Sequence, residues 1–529
     1  MEKMRMNTES KKEFLEDLER RFVEEAEIKE VADRLTKAGH EAFLVGGCVR
    51  DLLLGKEPKD WDVATNAAPE EIQGIFSDSV YENSFGTVAV KTRSEDPRKK
   101  IVDVTTYRLE GKYRDKRHPD EVKFAKTIDE DLSRRDFTIN AMAFEVTSHK
   151  RRAEGLVDPF GGVEDLRNKI IRAVGDSEER FGEDALRLMR AIRFSAQLGF
   201  SIEGATAEAI KNKAGLLEFI AKERVRDELE KLLMTQDAAE GVRRMQELGI
   251  LHYVLPELEE GAGMEQNKHH IYTVFEHNLK SLDYAVKNGF PLELRLASLL
   301  HDVGKPQSRV WKADPQGEKT REGRKGDWTF YQHQYIGEKI VLEMLDRLHF
   351  PRKMIEKIAL LVREHMFVYD PEIITEKGVK QGVTERGVRR LVRRVGSENI
   401  DDLFLVREAD RIGSGVKKPV PYRLRHLKAM IEKAKHDPLS PKMLKVNGED
   451  VMKNLGIEPG PKVGFVLSAL LEEVLDDPEL NKKELLLKRI KFLGNLSDKE
   501  LADIVKKAKQ AVAEAQERIE KEIEKAYFV

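Results

Sequence analysis

The sequence predicts an α+β, multidomain fold: a small α/β head followed by an all-α remainder. Two observations carry that reading. Short β-prone runs (AFLVGG, WDVAT, GTVAVKT, IVDVTTY) alternate with Gly, Pro and charged loops over about residues 42–146. After Asp158-Pro159-Phe160-Gly161-Gly162 the pattern turns helical almost without interruption, punctuated by Pro and Gly clusters at 255–263, 304–326 and 413–421.

The elements follow in order. Phe14, Leu18, Phe22, Ile28, Val31 and Leu35 recur at helical spacing on a charged background, so residues 1–34 read as an N-terminal amphipathic helix. Residues 35–165 hold the β-prone head, 166–265 a helical neck, 266–415 a His-rich helical domain, and 416–529 a helical tail. The last stretch, 497–529, is rich in Lys, Glu and Ala and reads as a long exposed helix.

Composition limits the function classes. The chain has 529 residues with 93 Lys plus Arg against 96 Asp plus Glu, a net charge of -3, which argues against a general polyanion coat. A single cysteine, Cys48, excludes an intramolecular disulfide framework and any multi-Cys metal site. No run of about 18 apolar residues and no leader pattern is present, so a cytoplasmic protein without a membrane partner is expected.

Gly46-Gly47-Cys48-Val49-Arg50-Asp51 follows an apolar strand and opens a helical run. Such a turn lets backbone N–H groups approach a phosphate. Next comes Asp60-Trp61-Asp62 in a β-prone run, where positions i and i+2 share a face. Two neighbouring carboxylates repel unless a cation separates them, and paired oxygens suit Mg2+.

The combination GGCVRDLLLG and DWD resembles the signature of the tRNA nucleotidyltransferase and bacterial poly(A) polymerase family, a branch of the DNA polymerase beta-like nucleotidyltransferases. Three further segments resemble it in the same order: Leu132 to Met142 (LSRRDFTINAM), Asp158 to Gly162 (DPFGG) and Glu183 to Phe194 (EDALRLMRAIRF). The resemblance implies that Asp60 and Asp62 hold Mg2+ for a two-metal in-line displacement, while Gly47, Arg50 and Arg135 contact the triphosphate. Asp103, in IVDVTTY, is a candidate third carboxylate or else a polar residue on a half-buried strand.

Asp184 and Arg187 are spaced three apart, and Glu183 and Arg187 four apart, as on one helix face. Cytosine and adenine both offer a ring-nitrogen acceptor beside an amine donor. A carboxylate next to a guanidinium fits that edge and mismatches uracil and guanine. The family is understood to select CTP and ATP in this way, and Arg190 and Arg193 continue toward the triphosphate. The stretch between Tyr107 and Phe124 reads as a mobile loop of the kind present in relatives that add the terminal A, although Lys116 stands where the family usually has Gly. The additional basic motif of bacterial poly(A) polymerases is not found. Cys48 is read as a small packing residue rather than a nucleophile.

Seven of the 13 histidines lie between residues 269 and 365. His277, His301-Asp302 and Asp410 resemble the H…HD…D order of the HD metal-dependent phosphohydrolases, and they are the implied metal ligands. Imidazole plus carboxylate suits Mn2+, Ni2+, Co2+ or Fe2+ as well as Mg2+. His333 and His365 are candidates for a second metal position, and action on 2′,3′-cyclic or terminal phosphates of RNA is the implied class.

Residues 380–440 hold 15 Lys and Arg against 8 Asp and Glu, a candidate surface for the acceptor and T arms of tRNA. Residues 443–487 resemble the helical part that holds tRNA in relatives. The terminal helix is read as a homodimer contact or a second RNA clamp. The expected reaction is template-independent transfer of CMP and AMP to the tRNA 3′ end. An A-adding specialist with a CC-adding partner, and an HD-type phosphohydrolase with an RNA-binding head, are the alternatives.

Overall fold

The computed structural model describes residues 25–507, apart from 82–85, 111–121, 147–154, 267–270, 314–324, 368, 370–371, 376–377, 382, 436 and 505. The loop expected between Tyr107 and Phe124 lies mostly outside the described residues, as do the first 24 residues and the last part of the terminal helix. The chain divides into two compact units, one ending at Val254 and one starting at Leu255.

The first unit opens on the helix Ala26–Lys37, which buries Ile28, Val31, Ala32 and Leu35 on one face. A seven-stranded sheet follows in the order β3 (Ser79–Tyr81), β4 (Thr87–Lys91), β5 (Ile101–Thr106), β2 (Asp62–Thr65), β1 (Phe43–Val45), β8 (Ala143–Glu145) and β9 (Leu156–Val157). Only the β2/β5 pair is parallel, and it sets Asp62 beside Asp103. Strands β6 (Arg108–Glu110) and β7 (Val122–Phe124) form a separate hairpin.

Leu44, Val49, Val63, Ile72, Val102 and Val104 are fully buried, which ties the sheet centre to the short helices Gly47–Leu53 and Pro69–Ile75. Thr127 and Glu130 form a capping box that starts the helix Ile128–Ser133. Arg134 and Arg135 follow this helix directly. Beyond β10 (Ile170–Ile171), the helix Leu186–Leu198 packs against Lys222–Leu233 and Ala238–Glu247, and it stops at Gly199, whose φ of 70° is left-handed. Strand β11 (Ser201–Ile202) pairs parallel to β10.

The second unit is a helical bundle whose helices Val274–Lys287, Leu292–Leu300, His333–Arg347, Arg352–Glu364 and Ile400–Gly413 surround one polar centre. Two glycines set their spacing. A Cβ at Gly413 would stand 2.1 Å from Ser281 Oγ, and one at Gly304 would stand 2.1 Å from the His333 carbonyl oxygen. Only hydrogen fits at either place, so both are close-approach positions for the helices of this bundle. A hairpin of β12 (Val310–Ala313) and β13 (Gly326–Thr329) interrupts the bundle. The tail includes the helices Tyr422–Ala434, Gly448–Leu455, Pro461–Asp476 and Lys483–Gly494.

Candidate active site and candidate metal centre

A cavity of about 900 Å3 opens in the first unit over the ends of β2 and β5. Gly47, Arg50, Asp60, Asp62, Asp103, Arg135, Asp184, Arg187, Arg190 and Arg193 all line it. Asp60 precedes the strand rather than sharing it, because β2 begins at Asp62. The two carboxylates nonetheless border one space. Burial pushes the Asp62 carboxyl up to about 6, Arg135 opposes this, and Asp60 and Asp103 reinforce it. The three carboxylates that border this cavity offer hard oxygen donors of the kind a divalent cation takes.

Gly46 has a φ of 75° and a ψ of -130°, a backbone region open essentially to glycine alone. A Cβ there would lie 2.7 Å from Arg135 Nη1 and 3.9 Å from Asp62 Oδ2. This glycine therefore brings the Gly46-Gly47 turn against the Arg135 guanidinium and the Asp62 carboxylate together. Arg50 is buried and held by Asn140 Oδ1 at 2.7 Å and Asp51 Oδ1 at 2.9 Å. Cys48 is buried, its thiol donates to the Val45 carbonyl at 3.1 Å, and burial pushes its pKa up to about 12. A thiol so placed packs and does not attack.

Asp184 and Arg187 do not share one helix as expected. The helix Ser177–Glu183 ends before Asp184, and the next begins at Leu186. Asp184 bridges the break by accepting the Leu186 N–H at 3.0 Å. Arg187 is gripped by Glu183 Oε2 at 2.6 Å and by the carbonyls of Arg180 and Arg134, each at 3.1 Å. Its guanidinium plane is thus fixed from three sides.

Four partners were missed by sequence reasoning. Arg224 donates to Asp184 Oδ2 at 3.0 Å, Asp136 pairs with Arg190 at 2.6 Å, and Glu228 pairs with Arg193 at 2.6 Å. Asn140 links Arg50 to Asp136. Arg190 and Arg193 therefore spend charge on buried carboxylates, and their guanidinium groups lie 5.3 and 4.1 Å from the Phe194 ring. Except for Asp136 and Asn140, which stand in the RRDFTINAM run, no local signal marked these residues.

In the second unit His277, His301, Asp302 and Asp410 meet as expected. His277 Nε2 lies 2.8 Å from His301 Nε2, 3.1 Å from Asp302 Oδ2 and 3.3 Å from Asp410 Oδ1. Asp302 Oδ1 faces His333 Nε2 at 3.2 Å and His365 Nε2 at 3.6 Å. Two ligand groups thus share Asp302: His277 with His301, and His333 with His365. The Nδ1 atoms of His301, His333 and His365 lie 2.9, 2.8 and 2.6 Å from the carbonyls of Ser298, Phe330 and Val362. Donation there leaves each Nε2 with its lone pair turned inward. His333 Nε2 and His365 Nε2 then oppose one another at 3.3 Å, an arrangement that a metal cation relieves. Lys305 Nζ lies 2.7 Å from Asp302 Oδ2, and Arg407 Nη1 lies 2.5 Å from Asp410 Oδ2.

The basic stretch at 380–440 is partly neutralised from outside its own window. Arg390 and Arg393 pair with Glu472, Arg386 and Arg390 with Asp476, and Arg394 with Glu364. The helix Glu385–Val395 is therefore fastened to Pro461–Asp476. Lys417, Lys418, Tyr422, Arg423 and Arg425 are exposed. Among the described residues no helix is long and apolar enough to cross a membrane.

Residues 42–172 match the poly A polymerase head domain, and 199–261 match the probable RNA and SrmB-binding site of polymerase A. Residues 270–414 match the HD domain, and 422–490 a tRNA nucleotidyltransferase domain 2. The A-adding tRNA nucleotidyltransferase of Deinococcus radiodurans is 35% identical over 442 residues, covering 82% of this chain and 91% of that protein. The CCA-adding enzyme of Ligilactobacillus salivarius is 30% identical, with 88% and 95% covered. The chain spans about half of some other relatives, 53% of the CCA-adding enzyme of Limosilactobacillus reuteri at 45% identity. Among solved structures, the Bacillus stearothermophilus CCA-adding enzyme in complex with CTP superposes with a TM-score of 0.61 at 28% identity, covering 88% of this chain and 96% of that one. Identity of 30–35% across 82–88% of the chain, on top of the carboxylate and arginine cavity, makes the chain a member of the tRNA nucleotidyltransferase family, with a poly(A) polymerase-type head and an HD domain.

Proposed function

We propose that the chain adds CMP and AMP from CTP and ATP to the tRNA 3′ end, building or repairing the CCA terminus. The observation that carries this reading is the cavity in which Asp60, Asp62 and Asp103 face Arg50, Arg135 and Arg187. Asp60 and Asp62 would hold Mg2+, which when bound would supply Lewis-acid activation of the 3′-hydroxyl and charge neutralisation at the pyrophosphate. Asp103, which borders the same cavity, would share that duty. Arg50 and Arg135 orient the triphosphate, and the turn at Gly46 and Gly47 lets it come close. Arg187 donates to the ring nitrogen of cytosine or adenine, and Asp184 accepts from the exocyclic amine. The domain sequence of head (35–165), neck (166–265), HD domain (266–415) and tail (416–529) accommodates these tasks, with tRNA on the exposed 417–425 segment and the tail.

The decisive experiment incubates the protein with tRNAs lacking CCA, CA or A, each with CTP, ATP or both. Extension of the CCA-less tRNA to full length supports the reading. Extension only of tRNA ending in CC assigns the A-only activity named for the Deinococcus relative. No extension overturns both.

A second activity is favoured by the paired ligand groups around Asp302. We infer that the HD centre, loaded with Mn2+, Ni2+ or a similar ion, hydrolyses phosphate esters at RNA ends. In that reaction a water oxygen bonds to phosphorus, a ribose P–O bond breaks, and a proton passes to the released ribose oxygen. Hydrolysis of a nucleoside 2′,3′-cyclic monophosphate by metal-loaded protein, lost in His301→Ala, supports it.

A further inference from the structure

The polar row on the floor of the head cavity continues past the carboxylates. Strand β5 alternates: Val102, Val104 and Thr106 are buried, while Asp103 and Thr105 are half-buried on the opposite face. Thr87, on β4, is the register partner of Thr105, and both line the cavity together with Asp60, Asp62 and Asp103. The two hydroxyl oxygens lie 3.2 Å apart. Among the described residues neither hydroxyl has another hydrogen-bond partner. One hydroxyl donates in their mutual bond, which leaves the pair one donor hydrogen and spare lone pairs. A cross-strand threonine pair supports a sheet by itself. That does not account for its place on the face that carries the carboxylates, at the border of a cavity of about 900 Å3.

Strand order decides which reactant this end of the floor meets. Across the sheet, β1 leads into the Gly46-Gly47 turn, β2 carries Asp62, β5 carries Asp103 and Thr105, and β4 carries Thr87. The turn and the threonine pair therefore stand on opposite sides of the carboxylates. In an in-line displacement the attacking oxygen and the departing pyrophosphate also lie on opposite sides of the phosphorus. With the triphosphate at the turn, the RNA 3′-hydroxyl reaches the carboxylates from the side of β5 and β4. From Asp103 to Thr105 is a step of about 7 Å along the strand, which one ribose and one hydrogen bond span.

We propose that the Thr87 and Thr105 hydroxyls bind the 2′-hydroxyl of the terminal ribose of the RNA, so that the head selects a ribonucleotide 3′ end over a deoxyribonucleotide one. This rests on the nucleotidyl-transfer reading, which sets the triphosphate at the turn. A 2′-hydroxyl both donates and accepts, which matches the donor hydrogen and lone pairs left on the pair, and it is the group that separates RNA from DNA. The carboxylates keep the chemistry, and the threonines fix the ribose that presents the 3′-oxygen.

The test uses the full-length protein, ATP, and tRNA ending in CC whose terminal sugar is either ribose or 2′-deoxyribose. Wild type should favour the ribose end by about tenfold in kcat/KM, the effect of one hydrogen bond. Thr105→Val should lower kcat/KM about tenfold on the ribose end and leave the deoxyribose end within about twofold, so that the preference disappears. Thr105→Ser should keep the preference, and Thr87→Val should reduce it. Valine retains the β-branched shape that suits a strand, and unchanged circular dichroism with an unchanged KM for ATP excludes misfolding as the cause. Equal kcat/KM of wild type on the two ends, or a preference that Thr105→Val retains, overturns the proposal. A change in the choice between ATP and 2′-deoxyATP, with the preference for the RNA end intact, assigns the pair to the incoming nucleotide and overturns it as well. If the wild type extends neither RNA, the nucleotidyl-transfer reading fails and the threonine contact falls with it.

Discussion

Asp62 and Asp103 are register partners on adjacent parallel strands, β2 and β5. In-register neighbours project to the same face of a sheet, so both carboxylates border the cavity. If they share the cation duty, Asp62→Ala and Asp103→Ala should each lower primer extension by at least about 100-fold, while filter binding of tRNA stays within about twofold. A polar strand residue without a metal role would leave Asp103→Ala within about tenfold of wild type. The comparison separates the two readings of Asp103 that its sequence context left open.

If Asp184 and Arg187 read the base, the ion pair between Arg224 and Asp184 bears on base choice. Arg224 comes from the helix Lys222–Leu233 and reaches the Asp184 carboxylate at 3.0 Å. Removing Arg187 should relax selection, seen as a rise of about tenfold or more in the incorporation ratio of UTP over CTP. Arg224→Ala should move the same ratio in the same direction by less, because it frees the carboxylate without removing the donor. A fall in all nucleotides with the ratio unchanged would assign Arg224 to stability alone.

Asp136 and Arg190 provide a pH signature. Burial raises the Asp136 carboxyl, but Arg190 outweighs burial, with Asn140 adding a hydrogen bond, and the folded value falls to about 2 against 3.8 when unfolded. A depressed folded value means stability that is present above the unfolded value and lost as pH falls through the folded one. The shift corresponds to roughly 2–3 kcal/mol. Urea unfolding should therefore show wild type more stable than Asp136→Asn by about that amount from pH 7 down to about 5, with the gap shrinking from about pH 4 toward 2. A gap that does not depend on pH would mean the charge of Asp136 contributes nothing.

The sequence made some of this legible and hid the rest for a physical reason. Gly46, Gly47, Asp60, Asp62 and the LSRRDFTINAM run are local patterns, legible within windows of a few residues through their resemblance to the family's motifs. Arg224 and Asp184 stand 40 residues apart, and Arg193 and Glu228 stand 35 apart. Pairs of that separation are set by helix packing, which no window of residues contains. The same limit inflated the basic stretch. Its surplus of positive charge is answered by Glu472 and Asp476, about 80 residues from Arg390. What remains exposed at Lys417, Lys418 and Arg425 is a smaller surface than the count of charges suggested.

Asp302 lies in both ligand groups of the HD centre, whereas His333 and His365 lie in one. Metal content should therefore fall in steps. After loading with Mn2+ and dialysis, wild type should retain about two ions per chain that resist competition by millimolar Mg2+, which displaces metal from an all-oxygen head site but not from imidazole ligands. His333→Ala should retain about one, since His277 and His301 keep the other position. Asp302→Asn should retain none, because an amide gives up the charge both positions use. Elemental analysis by mass spectrometry reads these values directly. Chelation should also lower the unfolding temperature of the second unit, since it restores the opposed Nε2 lone pairs of His333 and His365 at 3.3 Å. If His333→Ala and Asp302→Asn lose the same amount of metal, the two groups form a single site and Asp302 does not bridge.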